Sequence, residues 1–511
     1  MEYLSQMLDR NARELPDRIF IVADETSLTY AEFARQTAQL AHVLAASGVA
    51  KGDRVGLYLP SNPLMALGFW ACQRLGAVPA PLSAMLRHNE LRQVIANTGF
   101  AALIMDDATW PYFKEIAGEF AGLPLLVAGA AAPGERLEAR MAAAPESFEN
   151  VPCRLQDTAA LFFTSGTTGT PKGIAQSHFA HCSSLRDMMV SHRSRYGEEV
   201  YVCAVPLFTN FGLTVTLDLC LYLGGTIVLH ERWDTDRVLS DIARYKVTYF
   251  PGTPTMYAYI VNAYDPQRHD LSSLRLCTTG GSPVPQPVIA RFEEMTGARV
   301  IQVYGSTETL GQCVMEPSAG IRKPGSAGLP VGSSRIAIVD DSGTPVPRGT
   351  IGEITIGGDC VSQGYFGDPE ATAAAFGPLG WASGDLGYLD ADGYLYIVDR
   401  KKDVIIAGGH NIYPIEVETV LYRHPAVAMC AVVGIPDESK GEIPVAVIVP
   451  VRGSAATAED LNRHCRDSLS AYKVPRQFHF IDTMPVEAAK IRKRDLVAAL
   501  REGGLDRYRN Q

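Results

Sequence analysis

The stretch TSGTTGTPKG, residues 164–173, decides how this chain is read. It packs four threonines, three glycines, a serine and a lysine into ten residues, directly after the apolar run AALFF at 159–163. A loop of that composition at the end of a buried strand can turn several backbone N–H groups toward one anion, because glycine lets the backbone approach closely. The hydroxyls add donors, and Lys172 adds a mobile positive charge. A Walker loop requires G-x-x-x-x-G-K-[ST]. Here Pro171 stands where the second glycine belongs and Gly173 follows the lysine. No G-x-G-x-x-G follows a strand elsewhere, so dinucleotide binding has no support. Taken alone, a loop of this composition reads first as a flexible polar turn and only second as a phosphate cradle.

The surroundings alternate strand and helix. Thr29 and Glu32 have capping-box spacing ahead of a helix carrying Phe33, Leu40 and Leu44, with Gly48 as its stop. DRVGLYLP (53–60) reads as a short strand, Asn62-Pro63 as the start of a second helix, Gly76 as its end, and AVPAPL as extended chain. The rhythm recurs near KVTYFPGTPTMYAYI and ARVIQVYGSTE, which implies a parallel sheet flanked by helices. From about residue 335 short strands and turns take over, predicting a mostly antiparallel β subdomain. After DRKKD (399–403) come about a hundred residues of another α+β texture. The expected architecture is α/β: a large N-terminal domain over 1–400, with the β subdomain over about 335–400, and a smaller mobile α+β domain over 401–511. The Ala/Pro-rich segment 128–147 reads as a surface excursion.

Bulk properties narrow the function. At 511 residues the chain holds more than one core, and 47% hydrophobic with 20% charged residues is an ordinary globular composition. A net charge of −10 argues against a general nucleic-acid binder, which needs a basic footprint. The N-terminus is charged throughout and lacks the apolar core of a signal peptide. The longest apolar-looking run, 213–229, is interrupted by Asp218 and Gly224-Gly225, too broken for a membrane span. Ten scattered cysteines with no C-x-x-C pair fit reduced thiols, hence a cytoplasmic protein.

Three further stretches join the loop in order: YGSTE (304–308), SGDLG (383–387) and DRKKDVIIAGGHNIYPIEVE (399–418), with a lysine at 490 near the C-terminus. Together they resemble the adenylate-forming superfamily of AMP-forming acyl- and aryl-CoA synthetases, luciferase-like enzymes and peptide-synthetase adenylation domains. The resemblance runs from LTYAEFARQTAQLAHVL to KIRKRDL. It implies an ATP- and magnesium-dependent enzyme that turns a carboxylic acid into an acyl adenylate with release of pyrophosphate. A thiol, usually that of coenzyme A, then displaces AMP. The alternative is an enzyme that loads the phosphopantetheine thiol of a separate carrier protein.

By the same resemblance, Thr164, Ser165, Gly166, Thr167, Thr168 and Lys172 cradle phosphates, and Gly281, Ser282, Gly305 and Ser306 border the nucleotide. Tyr304 lies against the adenine. Thr307 donates to the α-phosphate, and Glu308 helps hold magnesium. Asp385 accepts the ribose hydroxyls, which suits a carboxylate's paired acceptors, and Arg400 touches the ribose. Lys490 bridges the carboxylate and the α-phosphate; the family places glycine before this lysine where this chain has Ala489, and Lys493 is a rival cation. Lys402 matches the hinge. Gly408 and Gly409 leave room for the pantetheine arm. Phe208, Thr209, Phe211, Gly280, Leu310 and Gly311 are the candidate acyl pocket, with Thr209 replacing the family's usual histidine. No aspartate occurs in PLFTNFGL (206–213), which weighs against an amino-acid substrate. His178 and His410 receive no chemical role. Monomer and homodimer are both compatible with the sequence.

Overall fold

The computed structural model describes residues 3–164, 172–281, 286–437, 439–451, 453–454, 457–487 and 490–508, the side chains of Glu487 and Lys490 excepted. Ser165, Gly166, Thr167, Thr168, Ser282 and Ala489, and the side chain of Lys490, therefore lie outside the described residues.

The local rules act where the sequence places them. Thr29 accepts from the backbone N–H of Glu32 while Glu32 reaches back to Thr29, and the helix Tyr30–Ala46 follows. Asn62 caps Pro63–Leu75, and Gly76 ends it in a left-handed conformation (φ 68°). The strand Arg54–Tyr58 pairs in parallel with Val78–Leu82 and Ala102–Met105.

Among the described residues the largest sheet has nine strands. Its centre is parallel: Ile19–Ala23, Thr226–Leu229, Val200–Cys203, Tyr249–Gly252, Leu276–Thr279 and Arg299–Tyr304 lie side by side, and Val314–Met315 then turns antiparallel. Strands buried on both faces become continuously apolar, as in the IVL of Thr226–Leu229. The main core gathers around Phe69, Trp70, Tyr201 and Tyr249. The segment 128–147 is not merely a surface excursion: it folds the short helix Leu137–Ala142, whose Leu137 and Met141 are buried in this core.

The β subdomain is antiparallel, as its texture predicts: Arg335–Val339, Gly352–Gly357, Gly380–Leu389 and Leu395–Arg400 pair in succession. The C-terminal region builds its own sheet on Val427–Asp437 and Gly441–Pro450, with a separate core that includes Val417, Leu421, Val432 and Ile448. All ten cysteines are free, and all but Cys153 are buried. No helix among the described residues is long and apolar enough to cross a membrane.

Candidate active site

The Gly/Thr loop does not lead from strand to helix. Thr158–Thr164 pairs antiparallel with Lys172–Ser177, in the register Thr164 opposite Lys172 and Phe163 opposite Gly173. Residues 165–171 thus join two paired strands. A third strand, Gly364–Tyr365, adds to the far edge opposite Ala175 and Ile174. This brings the Tyr365 ring under the Lys172 ammonium, 5.0 Å from its centroid.

Tyr304 ends the parallel strand Arg299–Tyr304, at the carboxyl edge where open α/β sheets bind ligands. Its hydroxyl donates to Asp385 Oδ2 at 2.8 Å, and Arg400 Nε lies 3.2 Å from Asp385 Oδ1. Strand pairing sets this meeting, because Asp385 and Arg400 are register partners across adjacent strands. Burial, and then the Asp385 charge, push the Tyr304 phenol well above its ordinary pKa, so it stays a donor. Asp385 is mostly buried and Arg400 more than half exposed, so the carboxylate is the fixed member of the pair.

Beyond Tyr304 the chain makes a tight loop. A Cβ on Gly305 would stand 2.1 Å from the Gly311 carbonyl oxygen, so residue 305 must be glycine. Ser306 caps the short turn Thr307–Thr309, and its hydroxyl donates to Glu308 Oε2 at 2.9 Å. Tyr365 donates to Glu308 Oε1 at 3.3 Å, joining this loop to the edge strand beneath Lys172. Leu310 is held at φ 52° and Gly311 at φ 98°, a left-handed pair that closes the loop. Leu310 pays for that with a strained backbone, a feature that gathers at functional sites.

Phe208 and Phe211 are half-buried at the margin of the main core. The Thr209 hydroxyl is engaged inside its own turn, donating to the Pro206 carbonyl and accepting from the Gly212 N–H. That turn opens the π-helix Leu213–Asp218, a rare geometry frequent at functional sites. Gly280 closes on Val303, whose carbonyl oxygen would lie 2.6 Å from an added Cβ, and Gly281 takes φ 85°.

At the junction of the two regions, Asp399 accepts from the backbone N–H groups of Arg400 (2.7 Å) and Ile415 (2.9 Å). It thereby caps the helix Pro414–Tyr422. Burial raises its pKa to about 6. Lys401 is paired with Asp341 and Glu353, while Lys402 stands exposed in the turn Lys401–Asp403. Gly408 and Gly409, both at positive φ, connect the strands Ile405–Ala407 and His410–Ile412. Lys490 opens the strand Lys490–Ile491, opposite Glu487. The rival cation is accounted for: Lys493 Nζ lies 2.8 Å from Glu418 Oε1, in the small domain's own packing. Burial alone would lower the Lys493 pKa, but the Glu418 and Asp399 carboxylates outweigh it and the group stays charged.

The structure thus collects Lys172, Tyr304, Gly305, Ser306, Thr307, Glu308, Asp385 and Arg400 from three separate sheets. It adds residues the sequence did not single out: Tyr365, which touches both Glu308 and Lys172, and Gln176 and Asn210, which link to Thr307.

The chain matches the AMP-binding enzyme family over residues 8–366 and the AMP-binding enzyme C-terminal domain over 416–490. A feruloyl-CoA synthase of an Amycolatopsis species is 38% identical over 477 residues, covering 93% of this chain and 94% of that one. A 2-succinylbenzoate–CoA ligase of Bacillus licheniformis is 34% identical over 489 residues, covering 94% and 97%. Among solved structures, an anthranilate CoA ligase in complex with anthranoyl-AMP superposes with a TM-score of 0.92 at 28% identity, over 98% of both chains. The o-succinylbenzoate CoA synthetase of Bacillus subtilis, in complex with its acyl-adenylate intermediate, superposes at 0.84 with 32% identity, over 96% of this chain and 97% of that one. This chain belongs to the AMP-binding enzyme family and is an adenylate-forming acid–thiol ligase.

Proposed function

We propose that this ligase activates a compact carboxylic acid bearing an aromatic ring and passes the acyl group to the thiol of coenzyme A. The acid's carboxylate oxygen attacks the α-phosphorus of ATP, and pyrophosphate leaves. The thiol sulfur then attacks the acyl carbon, and AMP leaves with the carboxylate oxygen.

The observation that carries the nucleotide reading is the Tyr304–Asp385–Arg400 cluster beside the Ser306–Glu308 loop. Asp385 Oδ2 accepts the Tyr304 hydrogen bond, Oδ1 lies at ion-pair distance from Arg400, and each keeps a lone pair for a ribose hydroxyl. Tyr304 offers its face to the adenine. Lys172, with Thr164 and the loop residues Ser165, Gly166, Thr167 and Thr168, takes the outer phosphates. Thr307 donates at the α-phosphate, and Lys490 bridges the two anions there, where opposing charge must be neutralised for attack. The Glu308 carboxylate suits magnesium, a hard ion that takes oxygen ligands and fills its remaining positions from phosphate and water. Each Glu308 oxygen accepts one hydroxyl and has a lone pair left. The ion would neutralise phosphate charge.

The domains divide as 1–400 and 401–511, with Lys402 as the hinge and Gly408-Gly409 beside the pantetheine path. The aromatic preference is supported by relatives named for ferulate, 2-succinylbenzoate and indoleacetate, and by the half-buried Phe208 and Phe211 rings as candidate pocket residues. Ten free cysteines suit the reducing cytoplasm, where ATP and coenzyme A are available.

Pyrophosphate release measured across aromatic, aliphatic, dicarboxylic and amino acids, with and without coenzyme A, tests the reading. Sustained release that needs an aromatic acid and coenzyme A together is expected. Release that favours a straight-chain acid overturns the substrate class. A burst that coenzyme A does not extend assigns the acyl group to a carrier protein instead.

A further inference from the structure

A fully buried glutamine lies between the phosphate side and the acyl side of the site, and the reading above gives it no task. Gln176 belongs to the strand Lys172–Ser177. Strand side chains alternate faces, so Gln176 shares its face with Lys172, four residues and about 13 Å along the strand. From there its Nε2 reaches two acceptors: the Thr307 carbonyl oxygen at 3.0 Å and Asn210 Oδ1 at 2.9 Å.

The network fixes its own polarity. A carbonyl oxygen only accepts, so the end of Gln176 facing Thr307 is its NH2 group. That group must also donate to Asn210, whose near atom is therefore oxygen, and the Thr214 hydroxyl lies 3.0 Å from the same atom. Asn210 and Thr214 are buried as well. Asn210 sits at the entry to the π-helix, and its carbonyl accepts from the backbone N–H groups of both Thr214 and Val215. The far side of its amide is turned to Gly311, where an added Cβ would stand 2.9 Å from Asn210 Nδ2 and 2.3 Å from Val215 Cγ2. One amide group thus joins the peptide of Thr307 to the turn 206–213 that carries Asn210, Phe208 and Phe211.

We propose that Gln176 is a positioning residue for adenylation, holding the Thr307 peptide in register with the Asn210 turn so that seating of the acid and alignment of the α-phosphate are one event. This rests on the assignment of Thr307 to the α-phosphate. Gln176 touches neither reactant, and its contribution is the angle at which Thr307 is presented. Without it, the Thr307 carbonyl keeps only the Leu310 N–H as a donor, at 3.3 Å, and the turn Thr307–Thr309 loses its tie to the π-helix. A misaligned donor in a water-poor site costs rate steeply.

The test compares wild type, Gln176→Met, Gln176→Glu and Thr307→Val in the two half-reactions, using ferulate or any panel acid that outruns it. Adenylation is read as ATP–pyrophosphate exchange, and thioester formation as coenzyme A consumption from supplied acyl adenylate. Gln176→Met keeps the volume and removes the donors. It should lower the exchange kcat at least about tenfold and shift the KM for the acid, while thioester formation stays within about twofold. Gln176→Glu, should the methionine variant not fold, can donate only when protonated, so its exchange rate relative to wild type should rise on acidification. Full exchange by Thr307→Val overturns the site assignment and this role together. Loss in Thr307→Val beside full exchange in Gln176→Met overturns the Gln176 role alone. Equal loss in both half-reactions, with a lowered unfolding midpoint, reduces Gln176 to packing.

Discussion

Replacing Asp385 by asparagine tests the nucleotide reading with almost no change of shape. In the folded protein Oδ2 accepts from Tyr304 at 2.8 Å and Oδ1 receives Arg400 Nε at 3.2 Å. Asparagine keeps one oxygen. Arg400 can only donate, so the oxygen turns to Arg400 and the new NH2 group faces Tyr304, whose hydroxyl rotates to accept. The fold therefore tolerates the change, and the loss falls on the ligand: one ribose hydroxyl meets a donor where it needs an acceptor. A hydrogen bond to a charged group contributes about 1.5–3 kcal/mol, so AMP should bind about 10- to 100-fold more weakly. Calorimetric titration of AMP and of 2′-deoxy-AMP into both proteins gives a closed cycle. Wild type should discriminate against the deoxy ligand, and Asp385→Asn should discriminate much less, because its acceptor pair is already broken. An unchanged AMP affinity would refute the reasoning. So would a deoxy penalty equal in the two proteins, because the ribose would then be held elsewhere.

Two further outcomes follow from buried charge. Lys493→Met strands Glu418, whose carboxylate is only 9% exposed, and should destabilise the C-terminal region by about 3 kcal/mol; an unchanged urea midpoint for that region would show the pair to be incidental. His192 Nε2 donates to Gln312 Oε1 at 2.9 Å, and burial pushes the His192 pKa down to about 4. The unfolded chain takes up that proton near pH 6.5 and the folded chain does not. Stability present above pH 6.5 is therefore lost as pH falls toward 4, by about 3 kcal/mol for this group. Urea unfolding of wild type and His192→Gln from pH 7 to pH 4.5 should give stability curves that change their separation across that window, whereas a constant separation would mean His192 titrates alike in both states.

Much of the architecture was legible because it rests on local rules. Thr29, Glu32, Asn62, Pro63 and Gly76 bound their helices through backbone chemistry that needs no tertiary information. The motif residues 304–308, 385 and 400 could be grouped in advance only through the family resemblance that their contiguous motifs carry. What the sequence concealed depends on pairing across long separations. Tyr365 reaches Lys172 and Glu308 only because Gly364–Tyr365 adds to the edge of the Lys172–Ser177 strand. Gln176 and Asn210 are 34 residues apart and lie in apolar surroundings, where a lone amide gives no signal. The segment 128–147 misled for a related reason: its alanines and prolines suggest a solvated loop, and only the spacing of Leu137 and Met141, one helical turn apart, marks the buried face.

The burial of the cysteines bears on what the enzyme can safely hold. An acyl adenylate is a mixed anhydride, and any thiolate within reach will take its acyl group in place of the proper acceptor. Cys313 lies behind the Gly305–Gly311 loop, with its Sγ 3.4 Å from the Tyr304 carbonyl oxygen, where self-acylation would be the obvious hazard if that loop holds the nucleotide as proposed. It is fully enclosed, and burial pushes its pKa far above neutrality, as it does for Cys72, Cys203 and Cys277. At these four positions the protein keeps its own sulfur protonated and out of reach, so the nucleophile that meets the anhydride arrives from outside.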